Sequence, residues 1–161
     1  MQAQLFAVPL GYHARLPNHV FVRVIQAVII CYASGKHVME FDWTTGALAD
    51  GLRCYRNQEF FLAHEYWESI WLQCRQPEKT FVQALIQLAC AFHHFQRDNL
   101  RGATSQLTAS LRKLQNYPDD FAGLEVAPLR EEMGGWLLAL AAEEPRTYPP
   151  IPQVRRLLPP E

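Results

Sequence analysis

The sequence has no excess of charge of either sign: 15 Lys and Arg stand against 16 Asp and Glu, for a net charge of -1. Without a basic field, charge alone cannot hold nucleic acid or an anionic membrane surface, so no nucleic-acid partner is expected. A cysteine framework is also missing. Cys31, Cys54, Cys74 and Cys90 form no CxxC pair and no zinc-ligand spacing, and scattered single thiols suit a reducing, cytoplasmic setting. There is no long apolar run either. From Val20 to Tyr32 the chain reads VFVRVIQAVIICY, interrupted by Arg23 and Gln26 and short of the roughly 20 apolar residues a membrane-spanning helix needs. The same interruptions exclude the unbroken centre of a secretory signal. Phosphate loop, dinucleotide fingerprint and nucleophile motif are all absent.

The chain offers one domain's worth of residues, 161, enough to bury a core without metal or disulfide staples. Residues 1–38 differ in composition from the remainder of the chain and read as an N-terminal extension rich in β-branched residues. Met39 stands directly before a helical pattern, so a translation start there is one account of that extension. Residues 39–144 read as a single helical domain. Beyond it, EEPRTYPPIPQVRRLLPPE carries six prolines, which deny the backbone helix and sheet hydrogen bonds; residues 145–161 are expected to be an extended, solvated tail.

Within the domain nearly every stretch has helical period, and the fold class expected is all-α, a compact irregular bundle of about five helices. Thr44 or Thr45 is placed to cap a helix running through Gly51 and Tyr55. After RNQE comes a second helix, FFLAHEYWESIW, which should end before Pro77. EKTFVQALIQLACAFHHFQ is apolar nearly all round, the mark of an enclosed central helix. Leu100, Ala103, Leu107, Leu111 and Leu114 form the next stripe, and Leu129, Met133, Trp136, Leu137 and Leu140 the last, with Gly134 and Gly135 weakening its middle. Small residues recur: Gly51 and Ala63 are 12 positions apart, as are Ala91 and Ala103, with a shift of 40 between the pairs. This is the spacing at which two helices of a hairpin approach closely, and it suggests stacked helical hairpins.

The chemistry-bearing residues lie on the second and central helices. With His64 at zero on a helical wheel, Phe60, Trp67 and Trp71 fall within about 60° on one side and Phe61 and Glu68 within about 60° on the other, so His64 and Glu68 are expected inside the apolar arc, with Glu65 at its rim. A buried carboxylate without a partner costs on the order of 5 kcal/mol. Partners are available on the central helix, where Thr80, Gln83, Gln87, Cys90, Ala91 and His94 share a side, and the two faces are expected to meet. His93 lies on a different face and reads as packing or surface, and Trp67 and Trp71 as core.

At these residues the chain resembles the small helical domain-of-unknown-function family three-oh-nine, found in bacteria, archaea and plastid-bearing organisms. The resemblance covers about residues 46–116 and rests on HE-x-x-E with a following Trp, then Q-x-x-x-Q with a distal His. It implies His64, Glu65, Glu68, Trp71, Gln83, Gln87 and His94 as signature residues, with Gly102 and Ala103 opening the next helix. It implies no established reaction.

The residues leave several functional readings open. In the first, His64, Glu68, Gln83, Gln87 and His94 form a satisfied polar network that locks helix packing. In the second, His64 and Glu68, at i and i+4, join His94 and Glu65 around a divalent metal, although the second histidine of HExxH and the Glu-x-x-His order of di-iron bundles are missing. In the third, a His–Glu pair serves acid–base chemistry of a hydrolase kind. A groove between hairpins would also suit an interaction module for a protein partner, and a homodimer through the Gly134–Gly135 to Leu140 helix is a further arrangement.

Overall fold

The computed structural model describes residues 41–142 and 147–157; the N-terminal extension lies outside the described residues. Among the described residues five helices occur in chain order: α1 Gly46–Arg56, α2 Phe60–Trp71, α3 Glu78–Phe95, α4 Leu100–Leu114 and, after a small hairpin, α5 Val126–Ala141. The class is all-α. Among the described residues no helix is long and apolar enough to cross a membrane.

Each helix packs chiefly on the next one in sequence, the arrangement of stacked hairpins. The two links that make the first hairpins have the same chemistry. At the end of α1, Gln58 takes a left-handed φ of 62°, and the amides of Gln58 and Glu59 return to the carbonyls of Tyr55 and Cys54. At the end of α3, Asp98 takes a φ of 56°, and the amides of Asp98 and Asn99 return to Phe95 and His94. Both are Schellman caps, which satisfy the orphan carbonyls of a helix end while turning the chain back. The caps are 40 residues apart, the same shift that separates the two small-residue pairs, and they touch, since Gln96 Nε2 donates to the Gln58 carbonyl at 2.9 Å. The small residues are where close approach demands them. A Cβ on Gly51 would stand 2.4 Å from the Trp67 indole nitrogen, and Ala63, Ala91 and Ala103 are buried.

α3 is the enclosed element: Phe81, Val82, Ala84, Leu85, Leu88, Ala89, Ala91 and Phe92 are all buried. Phe92 meets Phe60, Tyr55 and Trp136, so one aromatic cluster joins α1, α2, α3 and α5. Ser110, also buried, donates to the Ala84 carbonyl at 2.6 Å and ties α4 to the back of α3. Before α5, Asp120–Phe121 pair antiparallel with Leu124–Glu125. Ala122 and Gly123 between them both have positive φ, 51° and 80°, the requirement of the tight hairpin turn whose twist matches its strands. Periodicity gives no strand in this stretch, because Ala-Gly is a weaker hairpin signal than Asn-Gly.

The proline segment corrects the expectation of a solvated tail. Residues 147–157 are extended, as their prolines dictate, but they run along the helices as a strap with Pro152 and Val154 buried. Proline loses its N–H and keeps its carbonyl, and two proline carbonyls and that of Val154 receive side-chain donors from the domain. Trp136 Nε1 donates to Pro150 at 2.8 Å, Tyr55 Oη to Pro152 at 3.0 Å and Arg56 Nη2 to Val154 at 3.0 Å. Tyr148 stacks on Trp136, ring centroids 5.3 Å apart, and an isolated bridge pairs Leu124 with Arg156.

Candidate functional site

The burial of α2 is set by Phe60, Ala63 and Trp67, with Ile70 and Trp71 packed against the same core. That arc is centred about 70° from His64 on the wheel, so the helix is turned relative to the expectation. Glu68 is therefore exposed, and His64 sits at the rim with a quarter of its side chain accessible. The physical reason is the pair Phe60–Phe61. Adjacent residues on a helix point 100° apart, and the core takes Phe60, 1% exposed, leaving Phe61 54% exposed. Counting Phe61 as core draws the expected arc toward Glu68, and giving little weight to small Ala63 hides the true direction.

Two polar residues of the central helix find their partners at α4 and its cap. Gln87 Oε1 accepts from Lys113 Nζ of α4 at 2.8 Å. His94 Nδ1 accepts from Asn99 Nδ2 at 3.1 Å, while Asn99 Oδ1 caps α4 by accepting from the Gly102 amide at 2.9 Å. A Cβ on Gly102 would lie 2.6 Å from Asn99 and 2.9 Å from His94, so only glycine fits beside this pair. Gln87 and His94 thus tie α3 to α4. Among the described residues no hydrogen bond joins His64 or Glu68 to Gln83, Gln87 or His94, and Gln83 is half-buried. The expectation of one sealed network across α2 and α3 is corrected on this point. Polar ties do exist, but they link α3 to α4. Asn99 escaped the sequence reading, although an Asn three residues before Gly102 at the head of an apolar stripe is a helix-cap signal.

What α2 does bring together is a surface group. His64 Nδ1 and Glu65 Oε1 are 2.9 Å apart, and one ligand atom from each of His64, Glu65 and Glu68 lies within 4.8 Å of the others. The Phe61 ring stacks on His64 at 6.3 Å between centroids and stands 5.6 Å from His93 of α3. His93, and not His94, is the histidine on the His64 side. Burial first, then the charges of Arg97, His94 and His64, hold the His93 imidazole below its ordinary value. On the same flank burial, helped by Glu68, pushes the Cys90 thiol up, which disfavours a reactive thiolate there. Trp71 is half-buried; Lys79 Nζ sits 4.6 Å over its ring, and its indole nitrogen has no hydrogen-bond partner among the described residues. Phe61, Glu65, Glu68 and Leu72 fall within about 60° on the wheel, making an outward stripe with two carboxylates between two exposed apolar residues.

Residues 48–106 match the family described as Domain of unknown function (DUF309). The matched stretch begins in α1 and ends within α4, so it contains the outward stripe of α2, the polar face of α3 and the Asn99–Gly102 cap, while the strap lies outside it. An "Uncharacterized protein" of Aquifex aeolicus (strain VF5) is similar, 27% identical over 92 residues. That match spans 56% of this chain and 24% of the relative, so the chain covers about a quarter of that protein's length.

Proposed function

We propose that the chain is a helical interaction module, working in the cytoplasm, whose docking face is the outer side of α2 and whose partner is a basic amphipathic helix. The observation that carries this reading is the pattern of exposure along that side. Phe61 and Leu72, 54% and 69% exposed, bracket Glu65 and Glu68, at the i, i+4, i+7, i+11 spacing that one helix presents to another. Apolar ends supply contact area, and the two carboxylates select lysine or arginine between them. The Gln87–Lys113 and His94–Asn99 ties serve the same reading as scaffold, because they hold α3 against α4 behind the face.

The test is a photo-crosslinking residue placed at Glu65 in cells, with Arg112, exposed on α4, as the control position. The reading expects a crosslinked peptide with Lys or Arg flanked by apolar residues, captured from position 65 and not from 112, and lost when Phe61 and Leu72 are changed to Ser. Equal capture at both positions, or capture of an acidic segment, contradicts it. Crosslinks to a second copy of this chain would point instead to a homodimer.

A second reading has its own observation: the 4.8 Å grouping of His64, Glu65 and Glu68. It keeps a divalent cation and drops His94 from the ligand set, leaving His64, Glu65 and Glu68. It ranks lower because all three donors come from one exposed helix, which leaves the rest of the coordination shell to water. Elemental analysis of chelator-free protein decides it. Metal near one equivalent that is lost in His64→Ala supports the cation, and a content unchanged by that substitution rejects it.

A further inference from the structure

A cleft of about 500 Å³ opens on the opposite theme, basic where α2 is acidic. Its lining includes Trp43 and Leu52, both buried, with Arg53, Arg56 and Asn57 from the end of α1 and Arg156 from the strap. The arginines differ in their partners. All three are exposed, and Arg53 pairs with Asp50 at 2.8 Å. Arg56 Nη2 donates to the Val154 carbonyl at 3.0 Å, and Arg156 Nη1 to the Trp43 carbonyl at 3.4 Å. Neither Arg56 nor Arg156 has a carboxylate within ion-pair distance among the described residues, whereas Arg155, next along the strap, is paired with Glu132 at 2.6 Å.

One guanidinium nitrogen of each is thus spent on a backbone carbonyl, which fixes the side chain, and the remaining donors are left to the cleft. Like charges gathered in one concavity repel unless an anion lies between them. Two neighbouring positive groups without a counter-charge, anchored on separate segments, form a preorganised anion seat. Donors arriving from α1 and from the strap suit an anion with more than two acceptor oxygens. The volume exceeds a bare oxyanion and falls within the range of about 300–1,000 Å³ typical of small-molecule sites, and Trp43 and Leu52 give it an apolar wall. The near-neutral chain offers no wider basic field, so the ligand is a small molecule and not a polynucleotide.

We propose that this cleft binds a small organic phosphate monoester, its phosphoryl group held by Arg53, Arg56 and Arg156 and its organic part against Trp43 and Leu52. The site is separate from the α2 face and does not depend on it. Titration calorimetry of the full chain with phenyl phosphate, inorganic phosphate and sulfate tests it. The expected result is one saturable site for phenyl phosphate, at least tenfold tighter than for inorganic phosphate or sulfate. Arg53→Gln and Arg156→Gln should each weaken it about tenfold, while Arg112→Gln on α4 leaves it unchanged. Because Arg156→Gln removes a bond to Trp43 and could unseat the strap, a second measurement uses the unaltered protein. Phenylglyoxal modification, mapped by peptide mass spectrometry, should be suppressed by phenyl phosphate at Arg53, Arg56 and Arg156 and not at Arg112. Absence of saturable binding at millimolar ligand overturns the proposal. So does equal affinity for all three anions, an equal loss in Arg112→Gln, or uniform protection of every arginine.

Discussion

The strap and the second helix have opposite fates. Residues 147–157 look like solvated chain and are partly buried; His64, Glu65 and Glu68 of α2 look like a buried polar site and lie at the rim or outward, while Trp67 between them is buried. Burial in this protein follows the pairing of hydrogen-bonding groups and the direction of side chains more closely than local hydropathy. The strap has carbonyls without competing N–H groups at its prolines, and the domain has Trp136, Tyr55 and Arg56 as donors that need acceptors. On α2, His64, Glu65 and Glu68 have one another and water, and burying them would leave carboxylates without partners.

The largest effect is expected from Trp136→Ala. It removes the ring on which Tyr148 stacks, the edge contacts to Phe92 and Phe95, and the donor to Pro150. A loss of about 3–5 kcal/mol in urea unfolding is expected, together with faster proteolysis in the strap. An intact strap at full stability would mean that it does not depend on this site.

Tyr55→Phe probes one bond alone. The ring is buried, the volume barely changes, and the Pro152 carbonyl loses its donor; the expected cost is roughly 1–2 kcal/mol.

On the α2 side, stability should depend on pH through His93. The folded chain holds His93 below 6.5, by burial and then by Arg97, His94 and His64. It therefore binds that proton less readily than the unfolded chain does. Stability from this group is full above 6.5, declines as the pH falls through that value toward the lower folded pKa, and levels off beneath it. His93→Gln should remove that part of the pH dependence, read as the difference between the two unfolding curves.

Much of this architecture is legible in the chain itself. The stripe Leu100, Ala103, Leu107, Leu111, Leu114 forms α4 within its own bounds, and the all-round apolar stretch forms the enclosed α3. The 40-residue echo of small residues marks the two hairpins, and the structure adds the matching caps at Gln58 and Asp98. Rotation is harder to read. A wheel with Phe60, Phe61, Trp67 and Trp71 admits two apolar directions, and only packing of Ala63 and Trp67 against α1, where Gly51 leaves room for the indole, chooses between them. Which neighbour receives a polar face is equally nonlocal: Gln87 and His94 find Lys113 and Asn99, residues that periodicity reads only as the exposed side and the start of α4. The strap is illegible for the same reason, since its acceptors acquire meaning only from donors about 100 residues earlier, at Tyr55 and Arg56, and on α5.

The smallest effect is expected at Glu68. Glu68→Lys reverses a charge that the account places in water on the outer side of α2. Its unfolding free energy should stay within about 0.5 kcal/mol of the unaltered chain, with crosslinking from position 65 abolished. A loss of roughly 3–5 kcal/mol, the cost of breaking a buried ionic partnership, would show that Glu68 points into the core and would contradict the account.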